Sequence, residues 1–137
     1  MDGGPHGIRI VGLAEVVLNV RDLRRALAFY RDLLGLAQIS PLDRPGPVFL
    51  RAGAASSELP ALVVLVPLPP DAADFVAPRT LHHLALAVPA EAFDAARAAL
   101  EGQGFAVRTG QHPVIPSRTM YVDDPDGNEV ELIAPAG

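Results

Sequence analysis

The feature that most constrains this chain is an internal echo. Sliding the sequence against itself by 68 residues (83 − 15) lays Glu15 on His83 and Val16-Val17-Leu18 on Leu84-Ala85-Leu86. Each copy opens with a β-rich run, Leu13–Val20 and Leu81–Val88, whose apolar residues alternate. A helical pattern follows each run. In the first copy Asp22 is placed to cap a helix carrying Leu23, Ala26, Phe29, Tyr30, Leu33 and Leu34, with Gly35 as its stop. In the second, a helix from about Ala90 to Glu101 carries Phe93, Ala96 and Leu100 and stops at Gly102. Short strands then fall near Ala37–Ser40, Val48–Arg51 and Leu62–Val66, and near Phe105–Thr109, Ser117–Val122 and Val130–Ile133.

This order predicts an α+β fold of two β-α-β-β-β modules, residues 10–66 and 80–134, that form a cupped mixed sheet. They are joined by a Pro-rich stretch, 67–79, and flanked by a flexible tail at 1–9 and a short tail at 135–137. A helix covering one face of each small sheet leaves the other face free to line a concavity. Alternation puts Ala14, Val16, Leu18 and Val20 on the covered face of the first strand and Glu15, Val17 and Asn19 on the open one. By the same rule His82 packs under the second helix and His83 faces the opening.

Composition limits the chemistry that such a concavity can host. There are no cysteines, which excludes thiolate nucleophiles, disulfides and sulfur-ligated metals. All eleven basic residues are arginines, so Schiff-base catalysis and a phosphate-loop lysine are excluded too. The net charge of −5 and the scattered arginines argue against nucleic acid or an anionic membrane as partner. The longest apolar run, Ala61–Val66, is far short of the ~20 residues that span a bilayer. The N-terminus lacks the basic-then-apolar pattern of a signal peptide, so a cytoplasmic location is expected. Four histidines and sixteen carboxylates remain, and they favour a metal or acid–base site.

Residues 119–133 carry the densest signal. Asp-Pro-Asp-Gly-Asn at 124–128 is a strong turn sequence. A hairpin closing around Asp126 sets Tyr121 opposite Glu131, with Val130 and Leu132 under the helix and Glu129, Glu131 and Ile133 on the open face. Glu15, His83 and Glu131 then come from three strands of two modules. One histidine and two carboxylates with open positions suit a divalent cation.

Three stretches together, Asn19–Leu36, Leu81–Leu86 and Tyr121–Leu132, resemble the vicinal oxygen chelate superfamily. That group comprises glyoxalases, extradiol ring-cleaving dioxygenases, epimerases, fosfomycin-resistance transferases and bleomycin-binding proteins. The resemblance spans about residues 10–134. It implies that His83 and Glu131 are metal ligands, and that Glu15 stands where the family usually has His or Gln. Within the superfamily the extradiol enzymes look most similar, because His112, Tyr121 and Glu131 keep their spacing. The resemblance implies that His112 and Tyr121 line the pocket, bind a substrate hydroxyl and assist catalysis. Two family features are absent from Leu62–Leu68: the acid–base histidine of extradiol enzymes and the fourth, glutamate ligand of glyoxalases.

A divalent ion with two carboxylates and a neutral imidazole is formally neutral, and its oxygen-rich ligation favours Fe²⁺ or Mn²⁺, with Ni²⁺, Zn²⁺ and Mg²⁺ as further candidates. The expected function is a metal-dependent enzyme similar to extradiol dioxygenases, acting on a small molecule with vicinal oxygens. A glyoxalase- or epimerase-like isomerase and a non-catalytic antibiotic-binding protein are the alternatives. No organic cofactor is expected, and the resemblance implies a homodimer.

Overall fold

A computed structural model of the protein describes residues 5–136, so Met1–Gly4 of the expected N-terminal tail and Gly137 lie outside the described residues. The chain divides into two units, Met1–Pro70 and Asp71–Gly137, each built on its own four-stranded sheet. Both units are α+β, as expected. Among the described residues, no helix is long and apolar enough to cross a membrane.

In the first unit, β1 (Glu15–Val20) leads into α1 (Leu23–Leu27), followed by β2 (Ala37–Gln38), β3 (Val48–Ala54) and β4 (Pro60–Pro67). The sheet order is β1-β4-β3-β2, with β1 and β4 parallel and the other pairs antiparallel. A parallel pair needs a crossover, and the helical segment after β1 supplies it. Asp22 caps α1 as expected, its carboxylate accepting the amide of Arg25 at 3.3 Å. The predicted single helix is instead α1 continued by a π-helical segment, Ala28–Leu33, in which the amide of Leu34 reaches back to the carbonyl of Phe29. Phe29 and Tyr30 lie side by side in the core, their rings edge to face with centroids 4.9 Å apart. Gly35 ends the segment at a φ of +81°, a conformation open to glycine.

The second unit repeats the plan: β5 (Leu84–Ala87), a short 3₁₀ turn (Ala90–Ala92), α2 (Phe93–Gly102), β6 (Arg108–Gly110), β7 (Ser117–Asp123) and β8 (Glu129–Pro135), in the order β5-β8-β7-β6. Phe93 and Leu100 on α2 are buried, as are Met120, Val122, Val130 and Leu132 on the sheet. Each such apolar side chain contributes about 1.5–3 kcal/mol on leaving water. One boundary that differs from expectation bears on the site. The strand predicted over Leu81–Val88 begins only at Leu84, because its partner β8 starts at Glu129 and pairing opens with Leu84 against Val130. The helix ends at Gly102, as expected, and Gly104 at φ +87° closes it. There the amides of Gly104 and Phe105 bond the carbonyls of Glu101 and Leu100, a Schellman ending.

Candidate metal centre

The β7–β8 hairpin builds the site. Asp124 is buried, and its carboxylate accepts the amides of Asp126 and Asn128 at 2.9 and 2.8 Å and the Asn128 side-chain amide at 2.9 Å. Gly127 supplies the positive φ, +80°. Arg79 clamps the loop from outside, donating to Asn128 Oδ1 at 3.1 Å and to the Asp126 carbonyl at 2.6 Å. This fixes the expected register, with Tyr121 directly opposite Glu131. On β5, Ala85 lies beside Glu131, so a small side chain leaves that flank of the carboxylate open.

Period two does the rest. Val130 and Leu132 are buried toward the helix side, which sends Glu129, Glu131 and Ile133 to the other face. Glu131 is only 3% exposed. Its Oε1 stands 3.0 Å from Nε2 of His83, a side chain 33% exposed, and its Oε2 is buried with no hydrogen-bond partner. The Tyr121 ring meets the His83 ring edge-on at 6.0 Å. Thr119, on the same parity as Tyr121, is also buried with an unpartnered hydroxyl.

A buried acceptor left unpaired costs about 1–3 kcal/mol, more when charged, so Glu131 Oε2 demands an occupant of its surroundings. Ligands about 2.0–2.2 Å from one divalent ion sit roughly 3 Å apart when adjacent, which is the His83–Glu131 separation found. The residues present therefore fit a divalent cation. A second grouping, His82, His83 and Glu129, brings one ligand atom from each residue within 4.8 Å of the others. Glu129, however, already bonds Arg108, which also holds Asp123, at 3.1 and 3.0 Å. Glu131 is the carboxylate with a free oxygen.

Of the residues singled out by sequence, His83, Tyr121 and Glu131 are brought together. Glu15 is exposed on the open face of the first sheet, as its parity predicts. His112 is half-buried in the loop before β7, and its Nδ1 accepts the amides of Val114 and Ile115 at 3.1 and 2.9 Å. That leaves Nε2–H as the face this ring can offer, a donor. His82 corrects an expectation. It does not pack under the helix but is exposed, because the strand that would have buried it has not yet begun, and its Nδ1 lies 2.8 Å from Nδ1 of His83. Arg118 bonds Asp94 at 2.8 Å and covers the Phe93 ring. Thr119 went unnoticed in the sequence, although extending the alternation from Tyr121 by two residues marks it.

A family model described as Glyoxalase/Bleomycin resistance protein/Dioxygenase superfamily matches residues 12–132. Catechol-2,3-dioxygenase of Bacillus subtilis (strain 168) is 31% identical over 128 residues, covering 90% of this chain and 41% of that protein. The chain thus spans about two-fifths of the length of the curated relative it matches. Among solved structures, a glyoxalase/dioxygenase from Nostoc punctiforme is similar with a TM-score of 0.73 at 21% identity, over 100% of this chain and 98% of that one. A variant of the fosfomycin resistance protein FosX from Listeria monocytogenes, complexed with Mn(II) and 1S,2S-dihydroxypropylphosphonic acid, is similar with a TM-score of 0.68 at 20% identity, over 93% of each chain. These two likenesses show the fold. With the family match running through both modules, the chain belongs to the glyoxalase/bleomycin resistance protein/dioxygenase superfamily.

Proposed function

We propose that this protein is a metal-dependent enzyme of the extradiol dioxygenase type, acting on a small molecule with vicinal oxygens. The observation that carries the reading is the buried, unpartnered Glu131 Oε2 beside His83 Nε2. His83 and Glu131 hold the cation. Fe²⁺ or Mn²⁺ suits mixed nitrogen and carboxylate ligation, and Mn(II) in the FosX complex is a precedent within the fold. When bound, the ion supplies a Lewis acid to which adjacent substrate oxygens chelate.

The chain's own groups do the orienting. Tyr121, whose ring packs edge-on against that of His83 at 6.0 Å, is assigned to bind a substrate oxygen through its hydroxyl. His112, with Nδ1 engaged by its own loop, offers Nε2–H as a donor to that oxygen. The 31% identity with catechol-2,3-dioxygenase favours ring cleavage over glyoxalase- or epimerase-like isomerisation. The reading extends to a cytoplasmic homodimer, checked for assembly by sedimentation.

Metal analysis of protein purified without chelator tests the core of the proposal. One bound ion per chain, lost in His83→Ala and Glu131→Ala, is expected. Apoprotein that refuses Mn²⁺, Fe²⁺, Ni²⁺ and Zn²⁺ would leave a small-molecule binder. Oxygen uptake with a panel of catechols follows; none by the Fe²⁺-loaded protein removes the dioxygenase.

A further inference from the structure

Two nitrogens of the same kind face each other at this site. His82 Nδ1 and His83 Nδ1 are 2.8 Å apart, with the rings edge-on at 5.0 Å and 70°. At that distance one nitrogen carries a proton and the other a lone pair. Which one does so decides what His83 presents to Glu131. If His82 donates, His83 Nδ1 is the acceptor, its Nε2 carries the proton and bonds Glu131 at 3.0 Å, and the Nε2 lone pair that a cation needs is absent. If His83 donates, its Nε2 is bare and aimed at the carboxylate. Two acceptors 3.0 Å apart then require a cation between them.

We propose that His82 is a positioning residue that holds His83 in the cation-binding tautomer when the site is loaded and in the Glu131-bonded tautomer when it is empty. This rests on the reading that His83 and Glu131 take a divalent cation. The exchange balances. On loading, the His83 Nε2 proton leaves to solvent and the exposed His82 Nε2 takes one from solvent. The His82 Nδ1 proton passes to His83 Nδ1, so the pair holds two protons throughout. A carboxylate or carbonyl in the place of His82 could only accept, and a hydroxyl on a short side chain would not reach. A histidine both donates and accepts from one atom position, and its exposure lets the second nitrogen exchange with water. Ring partners of this kind fix metal ligands and set their tautomer.

The grouping of His82, His83 and Glu129 invites a different role for His82, as a ligand itself. The Arg108 guanidinium on Glu129 disfavours a cation there.

The test is long-range ¹H–¹⁵N correlation of the histidine rings in the full chain, metal-free and with Zn²⁺, together with Zn²⁺ and Mn²⁺ titrations of His82→Leu and His82→Asn. On loading, His83 is expected to change from Nε2–H to Nδ1–H and His82 to change the opposite way. His82→Leu should weaken both metals by about 10–100-fold, the range for loss of a ligand's supporting hydrogen bond. His82→Asn, whose amide can turn to donate or accept near the former Nδ1, should recover most of that loss. His82 is exposed, so neither change should disturb folding, which circular dichroism checks. Wild-type affinity in His82→Leu, or a coordination shift on a His82 nitrogen, overturns the proposal. Failure of the wild-type chain to bind either ion overturns the metal reading beneath it.

Discussion

Gly110 lies on β6 opposite Thr119 and next to the Tyr121 ring. A Cβ built there falls 2.6 Å from Tyr121 Cε2 and 3.4 Å from Thr119 Oγ1. Ordinary carbon contacts are about 3.5–4.0 Å, so Gly110→Ala forces the ring back by roughly 1 Å. Overpacking of this kind costs about 1–3 kcal/mol. The Gly110 backbone is not among the positive-φ glycines, so alanine also gains about 0.4–1 kcal/mol by restricting the unfolded chain. The net expectation is a loss of about 1 kcal/mol. Urea unfolding followed by circular dichroism reads it as a midpoint lowered by roughly 0.5 M at an m-value of about 2 kcal/mol/M.

The cycle with Tyr121→Ala separates this cause from others. With the ring gone, the close contact is removed and Thr119 Oγ1 stays at 3.4 Å, so Gly110→Ala should turn from destabilising to neutral or slightly stabilising. An equal loss in both backgrounds would refute the steric argument. Because the same ring meets the His83 edge, the His83 ring protons should shift in Gly110→Ala as well.

Three further outcomes follow from contacts outside the centre. Arg79→Ala removes two bonds to the β7–β8 loop at a half-buried position and should cost about 1–3 kcal/mol in urea unfolding, with faster amide exchange at Gly127 and Asn128. His112→Ala leaves the Val114 and Ile115 amides without their acceptor, and hydrogen exchange should show those two amides losing protection. The Arg118 guanidinium, by its hydrogen bond and then its charge, holds the Asp94 carboxyl below the usual range. A lowered pKa in the folded state means that this contribution to stability exists above the ordinary carboxylate range and is lost as pH falls through the lowered value. Arg118→Ala should therefore raise the Asp94 midpoint in a ¹³C NMR titration; an unchanged midpoint refutes the pairing.

Most of the frame was legible because it rests on short-range rules. Parity alone assigned Glu15 to an exposed face and Val130 and Leu132 to a buried one. The turn chemistry of Asp124–Asn128 was enough to set Tyr121 against Glu131. What escaped depends on partners distant in sequence. Leu81–His83 alternates like a strand, yet β8 starts at Glu129 and leaves Leu81 and His82 without a strand to pair with, so His82 swings outward to His83 rather than under α2. The π-helical turn at Ala28–Leu33 is likewise invisible to a period-3.6 reading, which places Phe29 and Tyr30 on the core side in either helix.

The two registers also explain why the chemistry gathers in one module. With Val16–Val63 laid on Leu84–Val130, Glu131 corresponds to Val64 and Tyr121 to Phe49, each pair facing across its own strands. Only the first-strand position stays polar in both, as Glu15 and His83. Val64 is 2% exposed, much like Glu131 at 3%, so the two modules bury the same place and differ in what they put there. A carboxylate at Val64 would have glutamate, not histidine, at the equivalent of the His83 position, and two like charges without a cation repel. The apolar pair Val64 and Phe49 avoids a second buried, unpartnered oxygen at about 1–3 kcal/mol. The strain of an unpaired carboxylate is thus confined to the single module whose first strand is preceded by an imidazole able to share a cation with it.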